Sequence, residues 1–205
     1  MPSRSGRLGC AKRISEQHLL PVLEAMLHQF PFRVRGFHAD NGSEFVNHQV
    51  AGMLEKLLVE FTRSRPNRSS DNALVEGKNG AVIRKHMEYG HIASEHAGRI
   101  QAFYTAHFNP YLNYHRPCGF AQVGIDERGK RRRRYPTQDY ATPYEKLRSL
   151  PDGHRYLKEG TRWELLDRIA YAKSDTVAAR QMTAAKTKLL RECKLESPYP
   201  PSLAG

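Results

Sequence analysis

Two acids with 35 residues between them, Asp40 and Glu76, have the types and spacing best suited to chemistry in this 205-residue chain. Asp40 ends the apolar-rich stretch Phe32 to Ala39 and runs into the turn pair Asn41-Gly42. Glu76 stands early in a helical pattern that opens at Asp71-Asn72. An acid at a strand end and another on a following helix are held by rigid elements. Hard divalent cations such as Mg²⁺ favour carboxylate oxygens fixed in this way. On the plainer reading, Asp40 only starts an Asp-Asn-Gly turn, which is common, and Glu76 is a solvated helix residue. Glu44, a third acid close by, is read first as a charge near the start of the next helix, where negative charge is favoured.

Basic side chains surround this pair in sequence. Arg63, Arg65 and Arg68 share the polar loop that runs to Ser70, and phosphate contact there would be strongly salt-dependent. Lys78, Arg84 and Lys85 follow Glu76 on the same helical pattern; they contact phosphates or form a solvated face. Six of the seven residues from Arg128 to Arg134 are charged, which reads as a basic linker or a phosphate clamp. The whole chain carries a formal net charge of +12 and a pI near 9.8. That excess points to a polyanionic partner, with nucleic acid the default, although a ribosomal protein would share it. Phe103, Tyr104, Phe108 and Tyr111 recur at helical spacing, which suits core packing before base stacking.

The elements that must position these residues follow from periodicity. Residues 14 to 30 repeat apolar side chains at helical spacing, with Pro21 either starting or kinking the helix. Phe32 to Ala39 reads as a strand. Asn47 can cap a helix carrying Val50, Met53, Leu54, Leu57 and Leu58, and Val59 to Thr62 reads as a second short strand. The Glu76 helix is expected to run to about Met87 and to stop at Gly90. Gly77 and Gly80 lie next to Glu76, where small residues either pack on a sheet or let a DNA backbone approach. A longer helical stretch runs from about Ala93 to Tyr114, with a bend or break expected near Asn109 because of Pro110. Two more helices are expected, near Arg162 to Tyr171 and Asp175 to Cys193. Strand, helix, strand, helix indicates an α/β class.

At this point the chain resembles the catalytic core of the retroviral-integrase and DDE-transposase superfamily. The carriers are Asp40-Asn41-Gly42-Ser43-Glu44-Phe45, Asn72-Ala73-Leu74-Val75-Glu76 and the spacing between them. Asn113-Tyr114-His115-Arg116-Pro117 resembles the segment that closes such cores, and Thr142 to Leu147 the segment that trails them. The resemblance implies a ribonuclease H-like mixed sheet with flanking helices across residues 1–120. It leaves residues 121–205 as a basic linker and a mainly helical carboxy-terminal appendage. It also implies DNA integration or transposition, in which three carboxylates hold two Mg²⁺ (or Mn²⁺) ions about 3.5–4 Å apart for in-line phosphoryl transfer. Asp40 and Glu76 would be catalytic and metal-binding, and Arg63, Arg65, Arg68, Lys78, Arg84 and Lys85 would contact DNA.

One part of the pattern is missing. The family's first Asp has no counterpart in the 39 residues before Asp40, whose only acids are Glu16 and Glu24. The expectation is a core whose first strands are missing and which does not act alone. The rival is a non-enzymatic DNA-binding or interaction protein that joins a full-length transposase or its own copies. A third reading has the missing strands supplied by a separate chain. Three widely spaced cysteines fit a reducing, cytoplasmic setting, and no apolar run approaches the ~20 residues of a membrane span. No cysteine or histidine pairing suggests a structural zinc.

Overall fold

A computed structural model describes residues 6–13, 15–39, 48–57, 59–63, 79–87 and 90–195. The chain groups into two compact units. One is Gly9–Phe103 with Lys186–Gly205; the other is Met1–Leu8 with Tyr104–Ala185.

In the first unit, helix α1 (Glu16–His28) starts before Pro21 and continues past it. Pro21 lies on the exposed side of the helix. Leu23 and Leu27, four residues apart, form the buried face. They meet Val50 and Leu54 of α2 (His48–Lys56), again four apart and both fully buried, together with Val59. Burying one such side chain contributes about 1.5–3 kcal/mol. Strand β1 (Gly36–Ala39) is shorter than the Phe32 to Ala39 stretch read from the sequence. It pairs in parallel with β2 (Glu60–Arg63), from Gly36 opposite Glu60 to Ala39 opposite Arg63. A parallel pair needs a crossover, and α2 is that crossover.

Further along, residues Asn79–Arg84 form a π-helical segment that continues as α3 (Lys85–Met87). The chain has left helical conformation by Gly90, as expected. A 3₁₀ turn, Ser94–His96, leads into α4 (Ala97–Phe103), whose buried face is Ala97, Ile100 and Phe103.

The second unit starts with π-helical turns at Tyr104–Phe108 and Tyr111–His115. Pro110 between them keeps helical dihedrals, φ −57° and ψ −47°. Of the bend or break expected near Asn109, the break does not occur. Widened turns on both sides absorb the missing N–H, a common accommodation at a helical proline. Two antiparallel pairs follow: β3 (Cys118–Gly119) with β6 (Tyr140–Ala141), and β4 (Gln122–Ile125) with β5 (Arg131–Arg134). Arg131–Arg134 of the basic run is therefore a hairpin strand, where the charge pattern suggested a linker or a phosphate clamp.

Helix α5 (Pro143–Arg148) begins with a full capping box. The Thr142 hydroxyl accepts from the Glu145 N–H at 3.1 Å, and the Glu145 carboxylate accepts from the Thr142 N–H at 2.7 Å. Helices α6 (Trp163–Tyr171) and α7 (Asp175–Leu195) match the two patterns read from the sequence. Tyr144, Leu157, Leu166 and Ala170 form this unit's core, with Tyr114 and Trp163 packed against it.

The described residues are thus mixed α/β and mainly helical, with three two-stranded pairs, one parallel and two antiparallel. The larger mixed sheet implied by the resemblance is not among them. No described helix is long and apolar enough to cross a membrane.

Candidate metal centre and nucleic-acid surfaces

The parallel register fixes where the chain leaves the β1–β2 pair. Ala39 and Arg63 are partners, so both strands end at the same edge. In open α/β sheets, ligands collect beyond the carboxyl ends of the strands. Asp40 is the next residue after Ala39 in sequence. Asp40, Glu44, Arg65, Arg68, Glu76, Gly77 and Lys78 all lie outside the described residues, so the metal pair itself is not seen here. Of the remaining basic candidates, Arg63 closes β2, while Arg84 and Lys85 are exposed side chains on the helical segment after the Glu76 motif. Val82, Ile83 and His86 of that segment are partly buried, and Met87 is buried. This segment therefore has one covered face and one basic, open face. His86 turns back through Nδ1 to the Val82 carbonyl at 2.8 Å.

Three of the four aromatic candidates belong to the interior, and Tyr111 is partly buried. Phe103, Tyr104 and Phe108 are buried, and Tyr104 and Phe108 stack with ring centres 5.8 Å apart. None of these three can offer a face to a base. Among the described residues, no three His, Cys, Asp or Glu side chains converge as a metal site.

Two polar arrangements were not anticipated from the sequence. In the first, Asn109 and Asn113, four apart and both buried, hold the extended segment Gly6 to Leu8 by its backbone. Asn109 accepts from the Leu8 N–H at 2.8 Å and donates to its carbonyl at 3.0 Å. Asn113 does the same with Gly6, at 3.1 and 2.6 Å. Arg7, between them, hydrogen-bonds Tyr114 and donates to the Asn109 carbonyl at 3.4 Å. Burial pushes the Tyr114 hydroxyl's pKa up, with Arg7 opposing the shift. Asn is a poor helix former that gains by bonding backbone. Two of them one turn apart in a helix was the available signal.

The second arrangement is the β4–β5 turn. The Asp126 carboxylate accepts from the Lys130 N–H at 2.8 Å, the Arg128 N–H at 3.1 Å and Arg132 Nε at 3.0 Å. Those contacts, the Lys130 amide first, hold its pKa below the ordinary carboxylate value. Gly129, at φ +73°, supplies the left-handed residue, and its N–H closes on the Asp126 carbonyl at 2.9 Å. An i to i+3 bond followed by a left-handed glycine is the recipe of a three-residue hairpin loop.

No family model matches the chain. A stretch of 68 residues is 41% identical to the "Uncharacterized protein y4rM" of Sinorhizobium fredii (strain NBRC 101917 / NGR234), covering 33% of this chain and 19% of that protein. The match thus spans about a fifth of that relative's length.

Proposed function

We propose that this chain carries part of a DDE-type transposase or integrase catalytic core with a ribonuclease H-like fold, acting on DNA in integration or transposition. The carrying observation is the parallel β1–α2–β2 unit, whose strands end together at Ala39 and Arg63, directly before Asp40 and the arginine loop. That edge is where a metal-binding acid of an α/β sheet belongs. Oxygen donors from Asp40 and Glu76 suit Mg²⁺ or Mn²⁺ by chemistry. Such ions, when bound, would activate an attacking oxygen and stabilise a leaving one. Arg63, Arg65, Arg68, Lys78, Arg84 and Lys85 are the proposed DNA contacts.

Two carboxylates are a thin donor set for two dications, whose mutual repulsion several anionic oxygens must offset. The 205 residues by themselves are therefore proposed to bind one ion weakly and not to join DNA strands. Purified chain with Mn²⁺ and a transposon-end duplex tests both parts. Calorimetry should show one weak site that Asp40→Asn or Glu76→Gln weakens by roughly tenfold or more, since even a ligand's outer partners are worth 10–100-fold. Unaltered metal affinity in both variants would remove the assignment of these acids. Robust joining by the wild-type chain would remove the proposed inactivity.

The second reading, a non-enzymatic DNA-binding or interaction protein that modulates a full-length transposase, is favoured by the exposed basic hairpin. It predicts co-purification with such an enzyme. Absence of both that association and DNA retention at low salt would eliminate it.

A further inference from the structure

The β4–β5 hairpin is the least core-like element of the described chain. Every residue of both strands, Gln122–Ile125 and Arg131–Arg134, is exposed, including Val123 at 39% and Ile125 at 75%. A two-stranded hairpin with no buried face is marginally stable in water. This one is held instead by its turn, through the four hydrogen bonds that Asp126 accepts.

Directly opposite residues of an antiparallel pair share a face. Arg131 and Arg133 therefore stand with Ile125 and Val123 on one side, while Arg132 and Arg134 stand with Gly124 and Gln122 on the other. Cations emerge from both faces of the ribbon. From Gln122 to Arg134 there are six basic residues and two acidic ones, leaving four net positive charges on one small projection. Among the described residues, Arg132 alone of the six basic side chains pairs with a carboxylate, and it remains 64% exposed.

We infer that this hairpin is a binding arm for double-stranded DNA, inserted as a ribbon into the major groove with arginines reaching the phosphates on either side. Its two strands lie about 4.8 Å apart and extend roughly 13 Å. The major groove of B-form DNA, about 12 Å wide, admits a two-stranded ribbon. The corresponding groove of an RNA duplex is deep and narrow and does not. Arginine suits this position because its fork pairs phosphate oxygens two at a time and stays charged at any physiological pH. The face that carries Val123 and Ile125 beside Arg131 and Arg133 turns toward the groove floor, where thymine methyls are available to the apolar pair. The inference requires no metal and stands apart from Asp40 and Glu76.

The test uses the full chain in EDTA, titrated against labelled duplex DNA, duplex RNA of the same sequence, and phosphatidylserine–phosphatidylcholine vesicles. Replacing Arg131, Arg132, Arg133 and Arg134 together by Gln should weaken duplex-DNA binding about tenfold or more at low salt. It should also flatten the slope of log affinity against log salt by about 2–4 units. Four arginine-to-lysine changes should restore most of the slope. Arg133→Gln alone, which leaves the Asp126–Arg132 contact intact, should flatten the slope by about one unit and serves if the fourfold variant misfolds. The inference falls if wild type does not bind duplex DNA, or if both glutamine variants keep its affinity and slope. It also falls if the RNA duplex is bound equally well through the same arginines, or if only vesicle binding is lost. Arg63→Gln, Arg65→Gln and Arg68→Gln together probe the proposed catalytic-core surface. Loss there without loss in the hairpin variants overturns the arm and spares the core reading.

Discussion

Tyr144 concentrates several forces at one residue. It is buried, donates to Asp167 at 2.5 Å, and packs its ring on Tyr114 at 5.3 Å and Trp163 at 6.2 Å. Burial and then the Asp167 carboxylate drive its pKa well above 10.0, with Arg148 opposing. A phenol whose folded value is raised adds stability that is whole below the unfolded value near 10 and fades as pH climbs past it. Urea midpoints should therefore fall between pH 8 and the alkaline limb above about pH 10, and Tyr144→Phe should make that fall shallower. At neutral pH the same change should cost about 1–2 kcal/mol, because a hydrogen bond to a charged acceptor is lost while the ring remains. Gly153 makes a different demand. A methyl there would sit 2.7 Å from the Leu147 carbonyl and 3.2 Å from the Trp163 ring. Overpacking against backbone cannot relax by a rotamer change, so Gly153→Ala should lower stability by about 1–3 kcal/mol, read as a drop in melting temperature.

At the level of elements, the turn of the hairpin and the cap of α5 are each set by one side chain. Thr142→Ala removes the capping oxygen and should cost about 1 kcal/mol, measured by denaturant unfolding. Asp126 titrates below its ordinary range, so its support for the hairpin is present above that range and is lost as pH falls through the folded value. Amide shifts of Lys130 and Arg132 followed by NMR into acid should report that loss, and Asp126→Asn should blunt it. These elements also mark what could be read beforehand. The helices at Trp163–Tyr171 and Asp175–Leu195 were read from apolar spacing that local physics dictates, whereas the capped helix at Pro143–Arg148 was not. Leu23, Leu27, Val50 and Leu54 likewise show their four-residue spacing plainly. The hairpin was hidden because four consecutive arginines have no alternation, and with no buried face there is nothing to alternate. Its only trace was Asp126 with Gly129 three residues on, a turn signature drowned by charge. The Asn109–Asn113 pair showed only as two asparagines one turn apart, without a hint of what they hold. Their partners are backbone groups about a hundred residues away, and no local pattern encodes them. The parallel pairing of β1 with β2 was implied by strand–helix–strand order, but its register was not.

For the molecule as a whole, the carboxylate pair was the clearest signal in the sequence, yet Asp40 and Glu76 fall outside the described residues. Its chemistry is best tested directly, by the metal titration above. One more property follows from how Gly6 and Leu8 are gripped. Asparagine amides that pair with peptide groups two apart cannot tell one side chain from another, so by themselves they would accept any extended stretch in any phase. The guanidinium of Arg7 against the Tyr114 phenol is a side-chain contact that marks one frame for the strap. With that contact gone, the choice of frame would pass from the amides to the neighbours of the strap, such as Gly9, where a side chain would lie 2.5 Å from Val22 and Met26.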